Sequence, residues 1–205
     1  MLAREFSRRV AVAATLVLSL IFSAHSATAE TWELDKAATQ VTFTWDHLGL
    51  ARHSGRAVDV RGDADFAPTD PEKGTVSVVI RASSLWTGTK ELDDLLKGAD
   101  FLDTVRFPEI SFRSTGMART GARTSDLLGD LTIRDVTLPV VLKTTWNFTG
   151  EHPLAAINPR YLGKWTSGFS AETTIKRSDF GIKRALPLVG DDIRITIEAE
   201  LLRKE

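Results

Sequence analysis

The chain has 205 residues, with 26 Lys and Arg against 27 Asp and Glu, a formal net charge of −1, and no cysteine. So mild a charge balance argues against nucleic acid or another polyanion as the main partner. The missing thiols exclude disulfides and cysteine zinc sites, so the fold must rest on its own core.

In chain order, residues 1–29 carry the three parts of a secretory leader. Arg4, Arg8 and Arg9 supply positive charge, Val10 to Phe22 is an uncharged apolar run, and Ala27-Thr28-Ala29 has the A-x-A form. The run is too short to span a ~30 Å hydrocarbon core comfortably. The expectation is a signal peptide over 1–29, cleavage before Glu30, and a periplasmic or secreted domain over 30–205. Removing the leader takes the net charge to about −3. No later apolar run approaches membrane length, so any membrane contact would be peripheral.

Period-two alternation dominates the rest, each strand having one apolar and one polar face. Val41, Phe43 and Trp45 share a face, followed by Val76, Val78 and Ile80. One short helix interrupts: Thr89 is placed to cap it, Leu92, Leu95 and Leu96 form its apolar stripe, and Lys97-Gly98 ends it. Ile110 with Phe112, and Leu131 with Ile133, resume the alternation. Val140, Leu142, Thr144, Trp146 and Phe148 follow on one face. An irregular stretch from 150 to 168 is expected to lie over an opening. Phe169, Ala171, Thr173 and Ile175, and then the odd positions from Ile193 to Leu201, complete the set. Turns are expected at Pro68–Gly74, Gly116–Gly121 and Gly181–Gly190. The pattern predicts an all-β antiparallel fold of about eight or nine strands. A closed barrel removes exposed edges, and a two-sheet sandwich has the same alternation.

Chemistry-bearing patterns are sparse. His47 and His53 are six apart, a spacing that puts no two imidazoles on one face of a strand or helix turn, and His152 stands alone, so no metal site is predicted. There is no G-x-S-x-G elbow and no phosphate-cradling glycine loop. Asp93-Asp94 and Asp191-Asp192 are adjacent residues that point apart, which suits capping and solvation rather than catalysis. No catalytic residue and no enzyme activity are predicted. The apolar face remains, either as a packed core or as the wall of a cavity for a long apolar ligand.

Several segments together resemble the bacterial YceI family, periplasmic lipocalin-like proteins of the polyisoprenoid-binding type. They are Trp32-Glu33-Leu34-Asp35 with Val41-Thr42-Phe43 and His47-Leu48-Gly49; Gly55 and Gly62; and Ala99-Asp100-Phe101-Leu102-Asp103 with Phe107-Pro108-Glu109-Ile110-Ser111-Phe112. Gly129-Asp130-Leu131-Thr132-Ile133 runs on through Val136-Thr137-Leu138-Pro139-Val140. Gly168-Phe169-Ser170-Ala171, Ile175 to Ile182 and then Val189-Gly190-Asp191 close the set. The match runs in order through 31–203.

The resemblance implies an extended antiparallel lipocalin-like β-barrel of about eight strands with one short helix, around an elongated apolar channel. It implies a polyisoprenoid, an isoprenoid quinone tail or another long-chain lipid as partner, held for transport, storage or sequestration. No cofactor beyond such a lipid is implied. The expected channel wall is Phe43, Trp45, Val78, Ile80, Phe101, Ile110, Phe112, Leu131, Ile133, Trp146 and Phe169. Asp100-Phe101 is expected to end the helix and plug the barrel, and Arg177 to pair with Asp179 around the Phe180-Gly181 turn. Ala57 stands where relatives often carry an aromatic, and Leu92 and Leu95 stand where they carry a basic residue and a histidine. A head-group contact made there in relatives is thus lost. The alternatives are a secreted stress or structural protein with a filled core and, less favoured, an enzyme acting on a lipid. The oligomeric state stays open between monomer and homodimer.

Overall fold

The computed structural model describes residues 29–205, which leaves the expected leader outside the described residues. The alternating segments form β1 (Glu30–Leu34), β2 (Gln40–His47), β3 (Ala51–Ala57), β4 (Val60–Ala67), β5 (Asp70–Arg81) and β6 (Leu85–Trp86). Helix α1 (Lys90–Lys97) follows, and then β7 (Glu109–Arg119), β8 (Thr124–Ile133), β9 (Val136–Glu151), β10 (Trp165–Lys176) and β11 (Asp192–Arg203).

Neighbouring strands run β1-β4-β5-β7-β8-β9-β10-β11, and β11 pairs back onto β1, closing an eight-stranded antiparallel barrel. Strand β11 meets β1 through Leu201–Arg203 and β2 through Arg194–Glu198, so β1 and β2 lie end to end along one edge. The same doubling carries on through β3, which pairs with β2, and β6, which pairs with β3. Closure leaves no long unpaired edge around the ring. At one end of the barrel lies the β2–β3 turn; at the other lie Glu30 and Arg203. These are called the hairpin end and the termini end.

Inward phases follow the sequence pattern along most strands. One slip occurs at the β9–β10 pairing, where the register shifts between Gly168 and Phe169. The bulge inserts a residue and reverses the phase beyond it. Trp146 therefore lines the interior, Phe148 faces out, 43% exposed, and Thr149 takes the inward place. Two turns are also shorter than expected: β5 starts at Asp70, and Gly116 lies inside β7, paired with Leu128 just past a bulge at Thr115.

Two glycines have a packing reason. A Cβ on Gly55 would stand 2.4 Å from the Phe43 ring, and one on Gly129 would stand 2.3 Å from the Phe112 ring. Each ring lies flat over the strand where no side chain exists.

The helix starts at Thr89, but its hydroxyl makes no capping bond. Asp93 reaches back instead, accepting from both the amide and the hydroxyl of Thr87, each at 2.7 Å. Asp94 pairs outward with Lys90, so the adjacent acids do point apart. Gly98 stops the helix, and Phe101 and Leu102 behind it pack into the barrel interior.

The expected pair of Arg177 with Asp179 does not form; Asp179 is exposed. Arg177 is buried, and its guanidinium donates to the carbonyls of Gly190, Ile182, Arg184 and Val189 at 2.8–3.0 Å. A charged fork with five donors satisfies several carbonyls of an irregular loop at once, which one carboxylate partner would not. Burial lowers its pKa, opposed by the charge of Asp191. Asp191 in turn accepts from the Ser178 amide (2.9 Å) and hydroxyl (2.7 Å). Burial pushes that carboxyl up, but the Ser178 bonds, with Lys176 and Arg177 nearby, hold it below its ordinary value.

The irregular stretch after β9 does not cover the interior: no residue of 152–164 lines it. It folds instead onto the buried Asp35, which accepts from Arg160 and, at 3.1 Å, from the Tyr161 hydroxyl. Tyr161 stacks on His152 at 3.7 Å between ring centroids. Burial raises the Tyr161 pKa, and the bond to Asp35 adds to the effect.

Candidate binding cavity

Eight strands enclose a bore wide enough to be either filled or hollow. Here it is hollow: a cavity of about 600 Å³ runs through the barrel. Its volume is within the range of small-molecule pockets. Side chains of a packed core lose nearly all their accessibility. Phe43, Val78, Ile80, Ile110 and Phe169 occupy the inward phase yet remain half-buried, because they face empty space.

All eleven residues expected from the sequence line this one cavity: Phe43, Trp45, Val78, Ile80, Phe101, Ile110, Phe112, Leu131, Ile133, Trp146 and Phe169. Trp146 is the most exposed of them at 36%, while Trp45 is buried. Ala57 is also buried in the wall, opposite Val41. Leu92, Leu95 and Leu96 of α1 close the wall at the hairpin end. Strand β4 contributes Val60, Gly62, Ala64 and Phe66, which the sequence reading passed over. The signal was present, since Arg61, Asp63 and Asp65 alternate with them; small inward residues merely hid the apolar phase.

Charge is confined to the ends. At the termini end Glu72 and Arg119 pair at 3.1 Å, and Arg123 lies over the Trp146 ring at 5.4 Å while donating to the Asn147 carbonyl. At the hairpin end Arg177 is held by its four carbonyls. Between them the wall is mostly aliphatic and aromatic, with uncharged threonines such as Thr144 and Thr173. Such a surface excludes water favourably when an apolar chain fills it.

One expectation about histidines is corrected. Antiparallel pairing sets Trp45 opposite His53 and His47 opposite Ala51, so the six-residue spacing folds back on itself. The His47 and His53 rings stack with centroids 4.3 Å apart. No cluster of three or more His, Cys, Asp or Glu suited to a metal occurs among the described residues. No helix there is long and apolar enough to cross a membrane.

The comparisons agree with this geometry. A family model described as a YceI-like domain matches residues 32–201. A UPF0312 protein of Pseudomonas putida (strain W619) is 36% identical over 173 residues, covering 83% of this chain and 86% of its own. The crystal structure of a Campylobacter jejuni YceI protein superposes with a TM-score of 0.66 at 27% identity, over 78% of this chain and 90% of that one. A polyisoprenoid-binding domain from Saccharophagus degradans, implicated in plant cell wall breakdown, shares the fold with a TM-score of 0.62 at 11% identity, over 84% and 98%. With the family model spanning the barrel from β1 to β11, the chain belongs to the YceI-like domain family.

Proposed function

We propose that the protein is an exported carrier that holds a long apolar lipid, of the polyisoprenoid or isoprenoid-quinone type, lengthwise in the barrel, for transport, storage or sequestration. The observation that carries this reading is the hollow apolar bore with charge only at its ends. The structural neighbour from Saccharophagus degradans is described as polyisoprenoid-binding, and the same class of ligand suits this wall. Each buried methylene contributes about 0.8 kcal/mol, so a prenyl unit offers roughly 3–4 kcal/mol gross. Association costs roughly 4–15 kcal/mol, so several units must be buried for tight binding. A cavity running the length of the barrel suits such a chain.

A binding role is favoured over catalysis because no acid–base pair converges on the cavity among the described residues. The carboxylate residues along the cavity lining, Glu72 and Asp63, are ion-paired with Arg119 and Lys204. Export rests on the leader over 1–29.

Organic extraction and mass spectrometry of the purified protein test the reading. A stoichiometric long-chain lipid is expected, and the protein is expected to begin at Glu30. Absence of lipid, with no uptake of added prenyl quinone, would favour a barrel without a ligand.

A further inference from the structure

Four leucines stand out on the hairpin end. Leu48 and Leu50 form the β2–β3 turn, 45% and 83% exposed; Leu188 on the facing loop is 69% exposed; and Leu95 on α1 is 51% exposed. The turn and the loop are joined, since the Leu48 amide donates to the Leu188 carbonyl at 3.1 Å and His47 bridges to Val189. Leu95 itself lines the cavity, and so do His47 and Val189, the immediate neighbours of Leu48 and Leu188.

Exposed apolar residues scattered singly need no explanation, but a set ringing an apolar cavity does. Cations flank it. Lys183, whose carbonyl accepts from Leu186 in the same loop, and Arg52 on β3 are exposed and form no ion pair among the described residues.

We propose that this end docks on the surface of a lipid bilayer containing anionic lipid, with Leu48, Leu50 and Leu188 entering the interface. Leucines for the acyl boundary and lysine or arginine for the head groups are what such an interface attracts. Continuity of the rim with the bore lets an apolar chain pass between bilayer and cavity without crossing water. The proposal rests on the lipid-carrier reading above and adds the place of exchange.

The test is flotation of the purified protein with vesicles of phosphatidylethanolamine and phosphatidylglycerol. The wild type is expected to float, and less so with phosphatidylcholine alone. The double substitution Leu50→Ser, Leu188→Ser is expected to lower binding at least tenfold, a lower bound because two fully inserted leucines would supply roughly a hundredfold or more. Both sites are exposed, and an unchanged thermal midpoint shows that the fold stands. Lys183→Glu is expected to weaken binding to the anionic vesicles only. Ile157→Ser with Leu162→Ser, at the termini end, should change nothing. A wild type that stays unbound, equal flotation of the leucine variant, or loss through Ile157 and Leu162 instead would overturn the proposal. So would a dimer formed through the rim with no flotation. Lipid content measured in parallel keeps the readings apart, since a protein that retains cavity lipid but never floats refutes docking alone.

Discussion

The two ends of the barrel solve opposite problems with opposite chemistry. The termini end is walled by stacked rings: Trp32, with no exposure, lies on Phe66 at 5.1 Å between centroids, and Phe66 meets Phe169 edge-on at 5.9 Å. Around them sit peripheral ion pairs, half-buried for Arg203 with Glu30 and more exposed for Lys204 with Asp63 and Lys164 with Glu205. Such pairs contribute about 0–1 kcal/mol each, so the rings hold this end. The hairpin end has Phe101, Phe180 and Ile182 behind an irregular loop, and that loop is organised by one buried cation. At the termini end the strands on either side of Trp32 stay paired through their backbones. Where the backbone leaves carbonyls unpaired, a donor must be brought to them.

The largest expected effect follows directly. Arg177→Met keeps the bulk but leaves four carbonyls without their donor, and should cost at least about 3 kcal/mol in denaturant melts. Survival of the fold with little loss would show that the two ends do not differ in this way. At the other end, Asp35→Ala releases Arg160 and Tyr161 and should cost about 1–3 kcal/mol. Because 152–164 lines no part of the cavity, lipid content should persist while hydrogen exchange in that segment rises. Lipid loss in Asp35→Ala would tie the segment to the bore.

Ala57→Phe probes the bore between the ends. Overpacking a filled core costs typically 1–3 kcal/mol, whereas a hollow bore should absorb the ring within about 1 kcal/mol and hold less lipid. An unchanged midpoint with reduced lipid in mass spectra is the expected result. The smallest effect is that of Asp191→Asn. The folded carboxyl titrates below its ordinary value of 3.8, so its contribution is full above that value and fades as pH falls through the lowered one. The wild type should exceed the variant by under about 1 kcal/mol at neutral pH, and their acid melts should converge at the lowest pH.

Much of the barrel was legible because strand phase is a local property. Val41, Phe43 and Trp45 declare their face by alternation alone, although alternation leaves open whether that face fills a core or walls a cavity. What escaped was set by partners distant in sequence. Phe148 follows the phase of Trp146 on paper, and only the bulge against Gly168 turns it outward. Arg177 beside Asp179 suggests an ion pair, yet the carbonyls it serves belong to residues 182–190. His47 and His53 meet because of a turn, and spacing along one strand says nothing about a hairpin. The 150–168 stretch looks like a cover in the sequence, whereas Asp35, far away along the chain, draws it to the outer wall.

The glycines of the wall have a consequence of their own. Phe43 and Phe112 rest in the footprints of Gly55 and Gly129, and a methyl group in either place would tip an aromatic ring into the lumen. The calibre of the tube is thus set by atoms that are not there. At Gly55 a single added carbon meets only the Phe43 ring and should constrict the tube while the strands stay paired, whereas at Gly129 it also meets the Arg113 carbonyl at 2.7 Å and must shift the sheet.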